Sequence, residues 1–208
     1  WMQSPSFTID LWVKPLPENG DPGAGIVSAE RLGDDGYFLR LIKQNNSVYL
    51  NPWVAAPGVN TSLAGPQLTE GRWSHVYLTF HDATAAMAWG VDTVRHTLQA
   101  SGAITYRGGT SLRIGAREDP TTGSWFFFAG WMAEFHFWSR ALTEAEIAVN
   151  VDTSSVSSEC TGFICRGPSV SRRTVLPCPC CTRANHYAGK GSVAYCVCVC
   201  VCVCALPI

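Results

Sequence analysis

Short runs of alternating apolar and polar residues fill the first two thirds of the chain. In the segment 6–14, SFTIDLWVK, the apolar side chains of Phe7, Ile9, Leu11 and Val13 share one face. Side chains alternate between the two faces of a β-strand, so this pattern predicts a strand with one buried face. Shorter runs, separated by Gly, Pro, Asn and Asp, occur at 26–29, 37–42, 47–50, 73–80, 86–91 and 111–116. Many short strands with almost no helix predict an antiparallel β-sandwich.

The segment 130–138, GWMAEFHFW, is the most aromatic of the candidate strands. Strict alternation would give it two largely apolar faces, one with Trp131, Ala133, Phe135 and Phe137 and the other with Met132, Glu134, His136 and Trp138. A strand of this kind needs cover on both faces, which predicts a core formed between two packed sheets.

One short helical turn is predicted directly after this strand, near residues 143–148. Thr143 is a typical N-cap residue, because its hydroxyl can accept a hydrogen bond from the first turn of a helix. Glu146 follows three residues later and can bond back to the backbone N–H of Thr143, which completes a capping box.

Composition narrows the classes of partner. The chain has 208 residues, of which 15% are charged, and a formal net charge of -1. This balance gives no basic footprint for nucleic acid or an anionic membrane surface. No apolar run is long enough for membrane insertion, and the start, WMQS, has no signal-peptide pattern. The chain also does not begin with Met, and we interpret it as a fragment or a partial translation.

The ten cysteines divide the chain, because all of them lie from Cys160 onward. Serine and threonine cluster at 153–158, which predicts a domain at 1–152 and a linker with a Cys-rich, low-complexity tail at 153–208. The alternating Cys-Val run at 196–204 leaves three interpretations: a metal site, a disulfide module, or a TG dinucleotide repeat translated as Cys-Val. On the third interpretation, which we favour, the tail is disordered or a translation artefact.

Five segments of the first 152 residues together carry a family resemblance: FTIDLWVKP, GRWSHVYLTF, AWGVDT, SLRIGA and FFAGWMAEFHFWSRALTEAEI. In this order they resemble a laminin-G-like, pentraxin-like domain of the concanavalin A-like jelly-roll group, over roughly residues 5–151. The resemblance implies a two-sheet jelly roll that binds a ligand without catalysis. Such domains carry a further strand upstream of 6–15, so we expect this chain to lack its first strand.

The sequence departs from the family pattern at three places. The resemblance implies a disulfide between the strand at 7–15 and the strand at 73–80, but Asp10 and Tyr77 occupy the matching positions. Family members often carry an Asp before the Glu of the closing strand, and here that residue is Ala133. In the acidic segment that supplies calcium ligands in pentraxins, Arg117 stands where an acid is expected.

Calcium is the candidate cofactor, and Glu118 and Asp119 are the candidate metal ligands, because calcium binds carboxylate oxygens. Asp34 and Asp35 lie in another loop that could reach the same rim. The alternative is that all four are solvated loop acids, and the positive charge of Arg117 opposes a cation beside them.

Catalysis is not expected. A glycoside hydrolase needs two facing carboxylates, and no candidate strand carries two acids on one face. Glu134 is expected to form a structural ion pair with Arg140 or Arg113. His75 and His136 are expected to be packed or hydrogen-bonded and not to be metal ligands.

The function expected from these features is recognition or adhesion outside the cell, with a glycan or an extracellular protein as the partner. Two N-glycosylation sequons, at Asn45 and Asn60, agree with an extracellular location. The alternatives are a carbohydrate-active enzyme on the same fold and a structural spacer domain.

Overall fold

A computed structural model describes residues 3–17, 23–31, 35–59, 65–107, 111–119, 121–153 and 194–197. It contains β1 (Phe7–Pro15), β2 (Gly25–Arg31), β3 (Asp35–Gln44), β4 (Ser47–Val54), β5 (Gln67–Leu68), β6 (Ser74–His81), β7 (Ala86–Val91), β8 (Val94–Gln99), β9 (Arg113–Ile114), β10 (Ala116–Glu118), β11 (Trp125–Phe127), β12 (Gly130–Trp138), α1 (Glu144–Thr153) and β13 (Ala194–Val197). A 3-10 turn, Asp82–Thr84, precedes β7. Among these described residues, no helix is long and apolar enough to cross a membrane.

The strands form two sheets that pack face to face. The helix-side sheet has the order β13-β12-β1-β6-β7-β8. The hairpin-side sheet has the order β10-β11-β2-β3-β4-β5, with β9 also paired to β2. All pairs are antiparallel except a short parallel contact between β11 and β2. The predicted two-sheet jelly-roll sandwich with one short helix is confirmed, whereas the absence of a first strand stays a prediction.

Phe7 joins the two sheets at the centre of the core. Its ring centroid lies 4.6 Å from that of Tyr37 in the opposite sheet, and 6.4 and 6.2 Å from those of Phe80 and Phe137 in its own sheet. All four side chains are buried. Large aromatic groups contribute more buried apolar area than other residues, so this cluster is a main source of the hydrophobic stabilisation.

A β-bulge at Glu134 makes the strict alternation predicted for β12 wrong. Asp10 pairs with His136 but Trp12 pairs with Ala133, so β12 contains one more residue than β1 between these pairs. Glu134 has a φ of 52°, in the left-handed region. The bulge buries Met132 in the core together with Phe135, although the two residues are three apart.

The helix begins as its sequence predicts and then extends to Thr153. The Thr143 N–H donates to Glu146 Oε2 at 2.8 Å, and the Glu146 N–H donates to Thr143 Oγ1 at 3.3 Å. The preceding loop is fixed on β1, because Thr8 Oγ1 accepts from the Leu142 N–H at 2.8 Å. As a result, Leu142 and Ile147 cover Tyr77 on the outer face of the helix-side sheet.

The Asp10 carboxylate is almost fully buried on this same outer face and is the centre of a hydrogen-bond network. Oδ1 bonds to His75 Nε2 at 3.2 Å and to His136 Nδ1 at 2.9 Å. Oδ2 accepts from Trp138 Nε1 at 2.8 Å and from Asn150 Nδ2 at 3.5 Å. One carboxylate therefore connects β1, β6, β12 and α1.

The network shifts two pKa values in opposite directions. Burial by itself would raise the pKa of Asp10, but the hydrogen bonds and charges of His136 and His75 outweigh burial and hold it at about 2. Burial would lower the pKa of His136, but the Asp10 carboxylate outweighs it, so this pKa is raised. His75 and His136 are hydrogen-bonded, as predicted.

The backbone conformation of Glu134 generates a stability prediction. A left-handed φ costs a residue with a Cβ atom about 1–2 kcal/mol, and glycine avoids this cost. Because glycine also loses more backbone freedom on folding, which costs about 0.5–1 kcal/mol, we expect Glu134→Gly to raise the free energy of unfolding by about 0.5 kcal/mol, measured by urea denaturation. The control, Ala133→Gly, should lower it by about 0.5–1 kcal/mol. A Glu134→Gly protein less stable than the wild type would show that the bulge is not strained.

The low pKa of Asp10 predicts that the folded protein loses stability as the solution becomes acid. Because the folded-state pKa lies below the usual 3.8, the stabilisation is complete above about pH 4 and is lost as the pH falls towards 2. The difference between the usual pKa and the folded-state pKa corresponds to about 2 kcal/mol of folding stability. The raised pKa of His136 adds stability below about pH 6.5 that is lost as the pH rises through its folded-state value.

We therefore expect Asp10→Asn to be least stable relative to the wild type between about pH 4 and pH 6.5, with the difference shrinking both in more acid solution and as the pH rises through the folded-state pKa of His136. Urea unfolding between pH 3 and pH 8 measures both profiles. Glu144→Gln, which removes an exposed acid from the first turn of α1, is the control. It should leave the loss of stability in acid unchanged. Parallel profiles for Asp10→Asn and the wild type would contradict the assignment.

Candidate functional site

The β10–β11 hairpin exposes two large aromatic side chains at the edge of the hairpin-side sheet. Trp125 is 46% exposed and Phe127 is 52% exposed. They are two residues apart on one strand, so they share a face. Their ring centroids are 6.2 Å apart and their planes differ by 16°, which presents one continuous aromatic surface. Exposed apolar groups of this size that lie together typically mark a binding surface.

Arg113 connects the aromatic pair to two acidic residues. Its guanidinium lies 5.1 Å from the Trp125 ring centroid. Its Nη2 donates to Glu118 Oε2 at 3.1 Å, and its Nη1 donates to the Glu30 carbonyl at 3.3 Å. We name Arg113, Glu118, Trp125 and Phe127 the aromatic hairpin patch. It combines an apolar surface with a hydrogen-bond donor and an acceptor at its border.

A buried ion pair supports the hairpin from below. Arg117 Nε and Glu30 Oε1 lie 2.5 Å apart, although their directions do not make a hydrogen bond. The Arg117 guanidinium also lies 4.6 Å from the Phe38 ring centroid. Burial raises the pKa of Glu30, and the charge of Arg117 opposes that rise. Gly25 permits the close approach, since a Cβ atom there would be 2.5 Å from the Arg117 Cβ.

The two candidate metal ligands lie in this hairpin but have other partners. Glu118 accepts from Arg113, as described above. Asp119 Oδ1 accepts from the backbone N–H groups of Thr121 at 2.8 Å and Thr122 at 3.2 Å, and these bonds lower the pKa of Asp119. The Asp119 carbonyl accepts from the Gly123 N–H at 2.8 Å. Asp119 therefore shapes the turn of the hairpin.

Of the other two acids considered for this rim, the structure describes only Asp35. Asp35 is completely buried, and its Oδ2 accepts from the Arg107 N–H at 3.4 Å. It is therefore not the solvated or rim carboxylate that was expected. Asp34 lies outside the described residues.

The fit of calcium to this arrangement is poor. Calcium takes about six to eight oxygen ligands, whereas Glu118 is paired with Arg113 and one Asp119 oxygen is used by backbone amides. Within the described part of the chain, no group of three or more His, Cys, Asp or Glu residues could hold a metal ion. Calcium binding by Glu118 and Asp119 stays a prediction.

The predicted ion pair of Glu134 with Arg140 or Arg113 is wrong. Arg140 pairs with Glu146, with Nη2 and Oε1 2.7 Å apart, and Arg113 pairs with Glu118. No side-chain hydrogen bond or ion pair among the described residues involves the Glu134 carboxylate. Burial is the main cause of its raised pKa, which the charges of His136 and His75 oppose.

Sequence reasoning missed the aromatic hairpin patch, because it considered the aromatic residues of the strand at 130–138 and not those just before it. Phe128 is buried, but Trp125 and Phe127 are exposed. The available signal was the Trp-x-Phe spacing directly after a turn with Gly123, which places both rings on one face of a strand at a hairpin tip.

The two predicted glycosylation sites have different positions. Asn45 is exposed at the turn between β3 and β4, where Asn45 and Asn46 have φ angles of 49° and 61°. These two residues form the turn of the β3–β4 hairpin. Asn60 lies outside the described residues, as does most of the Cys-rich tail. Glycosylation itself stays a prediction.

A family model described as the concanavalin A-like lectin/glucanases superfamily matches residues 2–148. No curated protein matches the chain as a relative. Several solved structures share the fold. The native heptameric SAP-like pentraxin from Limulus polyphemus superimposes with a TM-score of 0.55 at 20% identity, over 71% of this chain and 70% of that chain.

Two further structures with this fold come from bacteria. A Bacteroides ovatus protein described as carbohydrate-binding has a TM-score of 0.52 at 19% identity, over 69% of this chain and 40% of that one. Domain 4 of the extracellular arabinanase AbnA from Geobacillus stearothermophilus, solved with arabinotriose, has a TM-score of 0.50 at 17% identity. The superposition spans 71% of this chain and 66% of that chain. At these identities the likeness shows the fold.

Thermal melting tests calcium binding at the hairpin. If Glu118 and Asp119 bind the ion, the melting temperature should be higher in millimolar calcium than in chelator, because a ligand that binds only the folded state stabilises it. Asp119→Asn should remove the difference, and Glu70→Gln, an acid in a distant ion pair with Lys43, should keep it. Identical wild-type curves in calcium and in chelator would exclude the prediction.

Proposed function

Because this chain belongs to the concanavalin A-like lectin/glucanases superfamily, we propose that residues 1–152 form a non-catalytic domain that recognises a glycan through the aromatic hairpin patch. The exposed pair of Trp125 and Phe127 is the observation that carries the proposal. A sugar ring has an apolar face of C–H groups, which packs on aromatic rings, and hydroxyl groups around its edge. Arg113 and Glu118 border the rings and offer a donor and an acceptor for those hydroxyl groups.

The hydrogen bonds that hold the residues of the patch in place favour binding by a preformed surface. Arg113 is held by the Glu30 carbonyl and by Glu118, and the hairpin is fixed by the turn at Asp119. A surface that is ordered before binding loses less conformational entropy when the ligand arrives. The weak affinity expected for a single sugar ring is therefore not reduced further by reordering of the site.

The proposal excludes catalysis because the acids at the patch have structural partners. Glu118 pairs with Arg113, and Asp119 shapes the turn. In the other sheet, Asp10 is buried and both of its oxygens accept hydrogen bonds, so it cannot reach a substrate. A retaining or inverting glycosidase needs two carboxyl groups that face one substrate.

We also place the domain outside the cell, within a larger protein with a recognition or adhesion role. The exposed sequon at Asn45 supports this location. Calcium assistance through Glu118 and Asp119 is the one cofactor that we retain for testing.

Alanine substitution tests the patch directly. Trp125→Ala and Phe127→Ala should each weaken glycan binding about tenfold, since a ring contact contributes about 0.5–1.5 kcal/mol beyond the area that it buries. Isothermal titration with arabinotriose and a glycan array provide the measurement, and circular dichroism checks the fold. The matched control is Trp131→Ala, because Trp131 is also exposed but lies on β12 in the other sheet.

The proposal fails if the wild-type protein binds no glycan on the array, or if Trp131→Ala weakens binding as much as Trp125→Ala. Binding to a protein without any glycan, lost in Trp125→Ala, would keep the patch and replace the proposed ligand class.

A further inference from the structure

A groove of about 370 Å³ lies on the outer face of the helix-side sheet, which is the sheet that does not carry the aromatic hairpin patch. Strands β6, β7 and β8 form its floor and walls. The loop that precedes α1, at Ala141, Leu142 and Thr143, closes one side of it. Its volume is within the range of about 300–1,000 Å³ that is typical of small-ligand sites.

Strand register explains why a groove forms here. Each outward-facing residue of β7 is small and lies between two larger polar or aromatic partners on β6 and β8. The three cross-strand rows are His81–Ala86–Gln99, Thr79–Ala88–Thr97 and Tyr77–Gly90–Arg95. Successive rows are roughly 7 Å apart, because two residues of a strand separate them. The small middle residues make a trough with polar walls.

Tyr77 limits the trough at the Gly90 row. A Cβ atom on Gly90 would be 2.5 Å from the Tyr77 ring, so the ring lies directly over this glycine. The open part of the trough therefore spans the Ala86 and Ala88 rows, and the groove is lined there by Thr79, Thr97 and Gln99.

Thr79 offers a hydroxyl group to the groove, which it lines. It is only 6% exposed, and no hydrogen bond among the described residues involves its hydroxyl group. Thr97 faces it across Ala88 and likewise has no hydrogen bond within the described residues. Thr97 is exposed, and the Thr79 oxygen is not among the buried side-chain atoms that lack a partner, so both hydroxyl groups face the groove and are open to a ligand or to water.

The remaining lining groups define the chemistry further. Gln99 Nε2 donates to the carbonyls of Thr84 and Ala100, which fixes this amide and leaves its Oε1 as an acceptor. Arg95 Nη1 lies 2.6 Å from Glu144 Oε2 in an exposed ion pair. Such pairs contribute little to stability, so the guanidinium can exchange this partner for a ligand oxygen.

We propose that this groove is a second ligand site, separate from the aromatic hairpin patch, and that it binds one or two sugar rings edge-on. The methyl groups of Ala86 and Ala88 meet the apolar C–H groups of the ring. The hydroxyl groups of Thr79 and Thr97, together with the Gln99 amide, bond to sugar hydroxyl groups along both walls. The domain then carries two carbohydrate contacts on opposite sheets.

Two-dimensional amide NMR of the full chain, titrated with cellobiose, lactose, maltose and arabinobiose, tests the site. At least one of these disaccharides should shift the amide signals of β6, β7, β8 and residues 141–143. Thr97→Val should weaken that binding about fivefold, since one hydrogen bond contributes about 1 kcal/mol. Ala88→Leu, which fills the trough, should abolish it. Thr93→Val, which changes an exposed threonine in the β7–β8 turn, is the control and should bind normally.

Trp125→Ala separates the two sites, because it should leave the groove signals unchanged while it weakens glycan binding at the hairpin about tenfold. If none of the disaccharides shifts the groove signals, or if Thr97→Val and Thr93→Val bind equally well, the second site is overturned. Neither result affects the proposal for the aromatic hairpin patch. Groove shifts caused by an extended peptide but by no disaccharide would also overturn the ligand class.

Discussion

The buried carboxylate of Asp10 constrains the outer face of the helix-side sheet. An ionised group in an apolar interior is stable only when its oxygens have hydrogen-bond donors. Here the donors come from three separate parts of the chain: His75 on β6, His136 and Trp138 on β12, and Asn150 on α1. Each of these elements must therefore be in place before the charge is fully compensated. This requirement links the closing strand and the helix to the first strand.

The bulge at Glu134 follows from the same constraint. His136 and Trp138 must face Asp10, while Phe135 and Phe137 must fill the core. Met132 also lies in the core, and strict alternation from Phe135 would turn it outward. One extra residue in β12 satisfies both requirements, at the cost of a left-handed backbone conformation at Glu134. Local strain at this point thus allows both faces of the strand to be packed.

Much of the fold could be predicted from the sequence, because alternation and turn residues act locally. The strand at 7–15 and the Thr143 capping box are both present as their patterns indicate. The resemblance matched Asp10 with Tyr77, and these residues are direct cross-strand partners. The bulge could not be predicted, because the extra residue is visible only when β12 is paired with β1. The partners of Asp10 were also hidden, since they are up to 140 residues away in sequence.

The candidate site was less predictable for a related reason. Exposure of an aromatic residue depends on which face of its strand the rest of the fold covers, and that is a property of the whole topology. Phe127 and Phe128 are adjacent and chemically identical, but only Phe128 lies in the core. Similarly, Ala86 and Ala88 are unremarkable in sequence. Their importance depends on Thr79 and Thr97, which register places on either side of Ala88. The two surfaces best suited to bind a ligand arise from pairing between strands, and a single strand contains neither of them.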